Sequence, residues 1–286
     1  MLDLKFIREN RELVQRAIDE KRAQLDLDAL FAADERVSSL NRTLQELQEK
    51  RNQNAKRIPK ASAEKRPELI AEGRRIGDEI AALKPRQDEA QAALSGFLLL
   101  VPNIAAPDAP RGTSEADNVV VREVGTRPSF DFAPLDHVAI LEKHGWADLV
   151  RIAKVAGSRS YSLSGDAVLL EQSLLRFALD RLSERGFKLT SVPSFANEQA
   201  FIGTGHFPTA RDQVYRLELD EKFLTGTSEV TLNALHSGEI LAESELPLKY
   251  AGISACFRRE AGSAGRDVRG LIRVHQFNKG RAIHHV

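Results

Sequence analysis

Cysteine is almost absent from this sequence. Cys256 is the only one in 286 residues, so no disulfide can form within the chain, which fits a reducing compartment such as the cytoplasm. Net charge is absent too. Lys and Arg total 41 and Asp and Glu total 41, which excludes attraction of the whole molecule to a polyanion and leaves any nucleic-acid surface to local clustering. Long apolar runs are missing. The longest, residues 97–101, is far too short to span a bilayer, and residues 1–5 lack the charged-then-apolar pattern of a secretion signal. No membrane partner is expected. There is no G-x-x-x-x-G-K-[ST], which sets aside an ordinary P-loop ATPase, and no C-x-x-C or H-E-x-x-H, which sets aside the common zinc sites. The histidines are scattered, and His284-His285 reads as a disordered end rather than a metal pair. Gly203-Thr204-Gly205-His206 lacks the strand–turn–helix setting of a dinucleotide loop.

What is present suits a folded protein of two domains, with 42% hydrophobic and 29% charged residues. In residues 4–22, Leu4, Ile7, Leu13, Val14, Ala17 and Ile18 recur at helical spacing, with Asn10 as an expected N-cap, and predict one or two short amphipathic helices. Ala33, Val37, Leu40, Leu44, Leu47, Arg51 and Asn54 then follow a 4-3-4-3 rhythm. After a break near Pro59 it resumes through Leu69, Gly73, Ile76, Ile80, Leu83, Gln87, Ala90, Leu94, Phe97 and Val101. A 3.5-residue period is the seam of a coiled coil, and two such stretches joined by a short turn predict an antiparallel hairpin about 45 Å long. Pro85 lacks an amide donor and should kink the second helix. The turn is basic: Lys50, Arg51, Lys56, Arg57, Lys60, Lys65 and Arg66 stand against Glu64 alone. Such a cluster is commonly no more than a solvated turn. At the end of a long lever it can also reach phosphates far from the body of the protein.

Residues 1–103 therefore read as a helical domain with a coiled-coil arm, and the Pro-rich stretch 104–118 as a linker. Residues 119–286 read as a second domain. Strands are predicted at 119–124, 189–192, 214–219, 223–225, 248–258 and 271–278, and helices at 136–144, 169–185 and 228–241. The fold class expected is α+β, with an antiparallel sheet flanked by helices.

The densest chemistry lies in Phe257-Arg258-Arg259-Glu260-Ala261-Gly262-Ser263-Ala264-Gly265-Arg266-Asp267-Val268-Arg269-Gly270-Leu271-Ile272-Arg273-Val274-His275-Gln276-Phe277. A strand ends in Arg and Glu, a glycine loop follows, and a returning strand is expected to alternate Arg273, His275 and Phe277 against Ile272, Val274 and Gln276. Guanidinium groups match phosphate oxygens, and an aromatic ring can stack on a base. Taken by itself, one Arg-rich hairpin is more often a solvent-facing surface.

This stretch resembles motif 2 of the class II aminoacyl-tRNA synthetases, and its Gly-Arg-Asp-Val-Arg-Gly-Leu-Ile-Arg-Val-His-Gln-Phe is similar to the seryl enzymes in particular. Thr225-Gly226-Thr227-Ser228-Glu229-Val230 resembles their serine-binding loop. Gly203-Thr204-Gly205-His206-Phe207-Pro208 and the helix before Pro193 resemble the motif 1 neighbourhood, and the helical hairpin resembles the tRNA-binding arm. The resemblance runs in one order from residue 1 to about 279. It implies ATP-dependent activation of serine and its transfer to tRNA(Ser), in a cytoplasmic homodimer joined through the motif 1 region. It also implies roles. Arg258 would stabilise charge at the α-phosphate, and Arg259 and Glu260 would belong to the ATP site, Glu260 through Mg2+. Arg273 would hold ATP, Val274 would address the adenine edge and Phe277 would stack on the ring. Thr227, Ser228 and Glu229 would hold serine, and Arg51, Lys56, Arg57 and Lys60 would hold tRNA.

After Lys279 the resemblance stops. Arg281 stands where those enzymes carry a serine-binding Glu, and motif 3, with its ATP-binding arginine, is not among these residues. The expectation is a sequence cut short by a frameshift, a premature stop or an artificial boundary, inactive alone, with residues 271–278 as an unpaired sheet edge. Two other readings stand beside it: a truncated, non-catalytic tRNA-binding paralogue, and a structural coiled-coil protein with a fused globular domain.

Overall fold

The computed structural model describes residues 2–261 and 270–286. The chain divides into two compact units, Met1–Val121 and Arg122–Val286.

The first unit begins with α1 (Leu4–Glu9) and α2 (Arg11–Lys21). Asp3 caps α1 by accepting from the amides of Lys5 and Phe6. Asn10 stands at the N-cap position of α2 without a side-chain cap. Its amide instead donates back to the Phe6 carbonyl, so its side chain serves the end of α1. Then come α3 (Leu27–Arg57) and α4 (Arg66–Leu100), the expected hairpin. At 1.5 Å per residue they are about 46 and 52 Å long. Ile7, Val14, Ile18, Leu27, Leu30 and Val101 form one core that seats the short helices at the base of the hairpin. Further along, Val37 faces Ala90 and Leu94, with Leu40 and Leu98 packed beside them.

The seam follows the sequence rhythm almost residue for residue. Of the repeating positions only Arg51 is exposed. Near the turn the seam becomes polar: buried Asn54 donates to the Leu69 carbonyl at 3.0 Å and to Glu72 at 3.3 Å. A single polar seam residue of this kind specifies register at some expense of stability. The helix runs unbroken through Pro85. Pro85 and Ala81 are both exposed, so the carbonyl that Pro85 cannot bond is open to solvent.

The second unit holds α5 (His137–His144), α6 (Leu149–Ala156) and α7 (Asp166–Glu184), then β1 (Lys188–Leu189), β2 (Phe195–Ala196) and α8 (Glu198–Gly203). Next are β3 (Arg216–Leu217), β4 (Lys222–Leu224), α9 (Glu229–Asn233), β5 (Leu248–Phe257) and β6 (Gln276–His285). One sheet has the order β1-β5-β6 and the other β2-β4-β3. The pairings are antiparallel, as expected of this α+β fold, except that the two-residue β1 pairs β5 in parallel. That pairing needs Gly252, where a Cβ would stand 2.7 Å from the Thr190 carbonyl oxygen. Phe201, Phe207, Val214, Phe223 and Val230 form one core, and Leu232, Tyr250 and Ile283 another beneath β5 and β6.

Several element boundaries differ from expectation. Residues 119–124 form no strand, and Val121 is 97% exposed. A β-branched run takes a ladder only when a neighbour accepts its hydrogen bonds. The helix expected at 228–241 ends at Asn233 and passes into a 3-10 turn. Helices α6 and α8 were not foreseen. The last strand starts at Gln276 rather than 271 and continues to His285, which places His284 and His285 inside the ladder instead of a disordered end. Among the described residues β6 is an edge of its sheet, as expected of the returning strand.

Leu94 is 4% exposed. Leu94→Ala is expected to lower the stability of the helical unit by about 2–5 kcal/mol, measured by urea unfolding followed by helical circular dichroism. A loss below about 1 kcal/mol would contradict the packing described for the hairpin.

Candidate functional site

The site grows from the end of the β5–β6 ladder, whose last pair is Phe257 with Gln276. Just past it, the Arg258 amide donates to the His275 carbonyl at 2.9 Å, and the His275 ring meets the Arg258 carbonyl at 3.0 Å and the Tyr215 hydroxyl at 3.1 Å. The Arg259 amide donates to the Gln213 carbonyl at 2.9 Å, and Gln213 Nε2 donates to the Ala261 carbonyl at 3.1 Å. Arg159 closes the other side: its carbonyl accepts from the His275 amide at 3.0 Å, and its guanidinium donates to the Glu260 carbonyl at 3.1 Å. These bonds hold Glu260 at φ 51°, in the left-handed region that a non-glycine residue adopts only when its surroundings impose it. The Glu260 carboxylate then pairs with Nε of Arg273.

The product is a cavity of about 450 Å3 lined by Arg258, Glu260, Leu271, Ile272, Arg273, Val274 and Phe277. The Arg258 guanidinium carbon lies 5.1 Å from the centre of the Phe277 ring, a cation–π distance that leaves the guanidinium and the ring facing a common space. The expected alternation of Arg273 against Val274 does not hold. Residues 271–275 precede the strand and are bent, so both side chains reach the same cavity. Arg259 is exposed and is not among the lining residues. Residues 262–269, the glycine loop with Arg266, Asp267 and Arg269, lie outside the described residues.

The loop Thr225 to Val230 lies against this cavity. Arg258 Nη2 reaches the Gly226 carbonyl at 3.5 Å, and a Cβ on Gly226 would stand 3.4 Å from both Cγ and Nε of Arg258, so glycine permits the approach. Thr227 and Ser228 are buried. Ser228 donates to the Gly252 carbonyl at 3.3 Å, and Thr227 Oγ1 accepts from the Glu229 amide at 3.4 Å. Thr227 and Ser228 thus shape the loop, and the Glu229 carboxylate extends from it. Arg281 on β6 meets that carboxylate at 2.6 Å. Sequence reasoning noted Arg281 but not its partner. The period of two along β6 puts Phe277, Lys279 and Arg281 on one face but does not point to a partner on the loop. Tyr215, His275 and Arg159 were also missed as organisers of the loop base, because nothing local in sequence links residues so far apart.

At the far end of the first unit, Arg51, Lys56, Arg57 and Lys60 are all exposed, and among the described residues none of them makes an ion pair. Among the described residues there is also no group of three or more His, Cys, Asp or Glu that could hold a metal ion, and no helix long and apolar enough to cross a membrane.

His206, half buried beside the site, donates to or accepts from Thr204 Oγ1 at 2.9 Å. Burial lowers its pKa below the usual 6.5. The Glu229 carboxylate opposes that shift, while the cations Arg258 and Lys279 reinforce it. A depressed histidine favours the native state above its unfolded pKa and loses that contribution as pH falls through the folded value. Titration of the His206 ring by NMR is expected to give a midpoint below 6.5, with stability falling on acidification and His206→Gln flattening that fall. A midpoint above 6.5 would contradict the geometry.

The comparisons with known proteins bear on the family of the chain. The family model for the seryl-tRNA synthetase N-terminal domain matches residues 1–105, and that for the tRNA synthetase class II core domain (G, H, P, S and T) matches residues 214–285. The second match runs past Lys279, through the continuous strand β6. The serine–tRNA ligase of Deinococcus radiodurans is 53% identical over 279 residues, covering 98% of this chain and 66% of the relative. That of Treponema denticola is 41% identical, covering 98% of this chain and 67% of the relative. The chain thus spans about two thirds of the length of the curated relatives it matches. Among solved structures, seryl-tRNA synthetase from Pyrococcus horikoshii, complexed with ATP, superposes with a TM-score of 0.86 at 34% identity, over 99% of this chain and 69% of that one. The cytoplasmic serine–tRNA ligase of Naegleria fowleri, in complex with AMP, gives 0.80 at 28% identity, over 99% and 66%. With this much of its length aligned, and with the N-terminal domain model and the core domain model matched in turn along the sequence, the chain belongs to the seryl-tRNA synthetases, a family of the class II aminoacyl-tRNA synthetases.

Proposed function

We propose that this chain carries the tRNA-binding arm and one wall of the site at which serine is activated with ATP and passed to tRNA(Ser). The observation that carries the proposal is the shared cavity of Arg258, Glu260, Arg273, Val274 and Phe277. Arg258 is suited to the α-phosphate, where its fork of donors stabilises charge that develops as the serine carboxylate attacks phosphorus and pyrophosphate leaves. Phe277 supplies a face for adenine, and Val274 supplies backbone groups at its edge. Arg273, fixed by Glu260, adds a second cation. The loop bearing Thr227, Ser228 and Glu229 would hold the amino acid beside it, so that proximity supplies much of the rate. A hydroxyl of the terminal ribose of tRNA then displaces AMP from the seryl carbonyl.

Mg2+ commonly rides on phosphates with one or two protein carboxylates. Glu260 is the carboxylate in the cavity lining, already paired with Arg273, and no step is assigned through the ion. A cytoplasmic location follows from the reaction proposed. The homodimer is supported by α7, where Leu169, Leu170, Leu174 and Phe177 are each more than half exposed, a contiguous apolar surface that a second copy would cover.

These residues span about two thirds of the length of the curated relatives, and we propose that by themselves they bind tRNA and ATP without completing activation, the non-catalytic tRNA-binding module being the second reading. Arg281 favours that reading, because it already occupies the carboxylate of Glu229.

Arg258→Ala is expected to weaken ATP binding about tenfold or more by calorimetry, on the scale of one charge-assisted hydrogen bond. Unchanged affinity would contradict its placement at the phosphates. The wild-type polypeptide is expected to show no serine-dependent ATP–pyrophosphate exchange, and clear exchange would mean that residues 1–286 suffice. Replacing Arg51, Lys56, Arg57 and Lys60 with Ala is expected to weaken tRNA binding and reduce the salt slope by about one for each phosphate no longer neutralised. Retention of the full affinity and slope would remove the arm from the interface.

A further inference from the structure

Residues 271–274 line the cavity of Arg258 and Phe277 without belonging to a strand. This limb has space on both sides. The cavity of about 450 Å3 lies in front of it. Behind it is an apolar space of about 380 Å3, bordered by Leu141 and Trp146 as well as by Leu271, Val274 and Phe277. A segment with a void on each side lacks the partner atoms that would hold it by packing. Polar ties fix it instead. Towards the ladder, Arg273 pairs with Glu260, and the His275 amide donates to the Arg159 carbonyl at 3.0 Å. Where the limb begins, the Leu271 amide donates to Nε2 of His137 at 3.2 Å.

His137 is itself firmly placed. It is the first residue of α5, whose N-cap Asp136 accepts from the Ala139 amide at 2.8 Å, and Val138 and Leu141 anchor that helix by burial. An amide can only donate, so Nε2 is the bare nitrogen of the ring and Nδ1 carries the proton. The approach of the chain is close. Gly270 has φ +87°, and a Cβ there would stand 2.1 Å from His137 Nε2 and 2.8 Å from Val138 Cγ2. Glycine alone lets the backbone pass over the ring and present the next amide to it.

We propose that His137 is a positioning residue for the nucleotide: by holding the Leu271 amide, it sets where Arg273 and Val274 stand in the cavity. The proposal rests on the reading of this cavity as the ATP site. His137 touches no reacting atom. Its ring takes a hydrogen bond that the limb would otherwise give to water, and so fixes the wall before ATP arrives.

The test measures ATP binding to the full chain by calorimetry in three variants. His137→Phe keeps a ring and loses the acceptor, His137→Gln restores an acceptor, and Gly270→Ala drives a Cβ into the ring. Hydrogen exchange of the Leu271 amide is followed on the same proteins, and circular dichroism establishes folding. His137→Phe and Gly270→Ala are expected to weaken ATP binding about fivefold, on the scale of one hydrogen bond, and to speed exchange at Leu271. His137→Gln is expected to stay within about twofold of wild type in both readouts. Nitrogen NMR of the wild-type ring is expected to place the proton on Nδ1. Should His137→Phe fail to fold, Gly270→Ala breaks the same tie from the other side and carries the same expectation. Wild-type ATP affinity in the folded His137→Phe and Gly270→Ala chains overturns the proposal, and so does a His137→Gln chain as weak as His137→Phe. With Arg258→Ala still weakening ATP, either result leaves the nucleotide reading standing. Absence of ATP binding by the wild-type chain overturns the two together.

Discussion

The hydrogen-bonded closure at the open end of the β5–β6 ladder sets the geometry of the cavity in the second unit. Ten paired residues bring Phe257 opposite Gln276, and the Arg258 amide then takes the His275 carbonyl. With the backbone pinned there, Arg258 and Phe277 share one space, Glu260 is forced into an uncommon backbone conformation, and Arg273 folds back on its carboxylate. The ladder supplies the order, and the charged groups inherit it. Tyr215 and Arg159 reinforce the closure by using donors and acceptors that a hairpin end would otherwise leave to solvent.

Legibility in the sequence tracked how local the determining physics was. The arm was readable because a 3.5-residue period is a property of neighbouring turns, and Val37, Leu47, Leu69, Ile76 and Leu94 are buried where that period puts them. The caps Asp3, Asp26 and Asp136 are equally local but were not read, and Asn10, the cap expected, makes no side-chain cap bond to α2. Pro85 lies on an exposed helical face, which tolerates a missing donor that a buried one would not, and the helix continues through it. Residues 119–124 were misread because β-branching states a preference and a strand also requires a partner. The returning strand was begun too early, and so the alternation assigned to Arg273 and Val274 failed although both belong to the cavity. The Arg281–Glu229 pair joins residues more than fifty apart and lay beyond any local pattern.

The charge balance has the same two-level character. The molecule is neutral overall, yet its cations are not evenly spent. Along the helices and around the cavity many are paired, as with Arg8 and Asp34 or Arg273 and Glu260. At the turn of the arm Arg51, Lys56, Arg57 and Lys60 are exposed, and among the described residues none of them makes an ion pair. Free cations at the end of a long hairpin are available to a polyanion without the whole protein being attracted to it.

The central claim is that Arg258, Glu260, Arg273, Val274 and Phe277 are the wall of a nucleotide pocket. A crystal structure of the chain soaked with ATP tests it most directly. The account predicts adenine against the Phe277 ring and the α-phosphate within hydrogen-bonding distance of the Arg258 guanidinium. ATP bound elsewhere, or a cavity left empty at millimolar ATP, would contradict it.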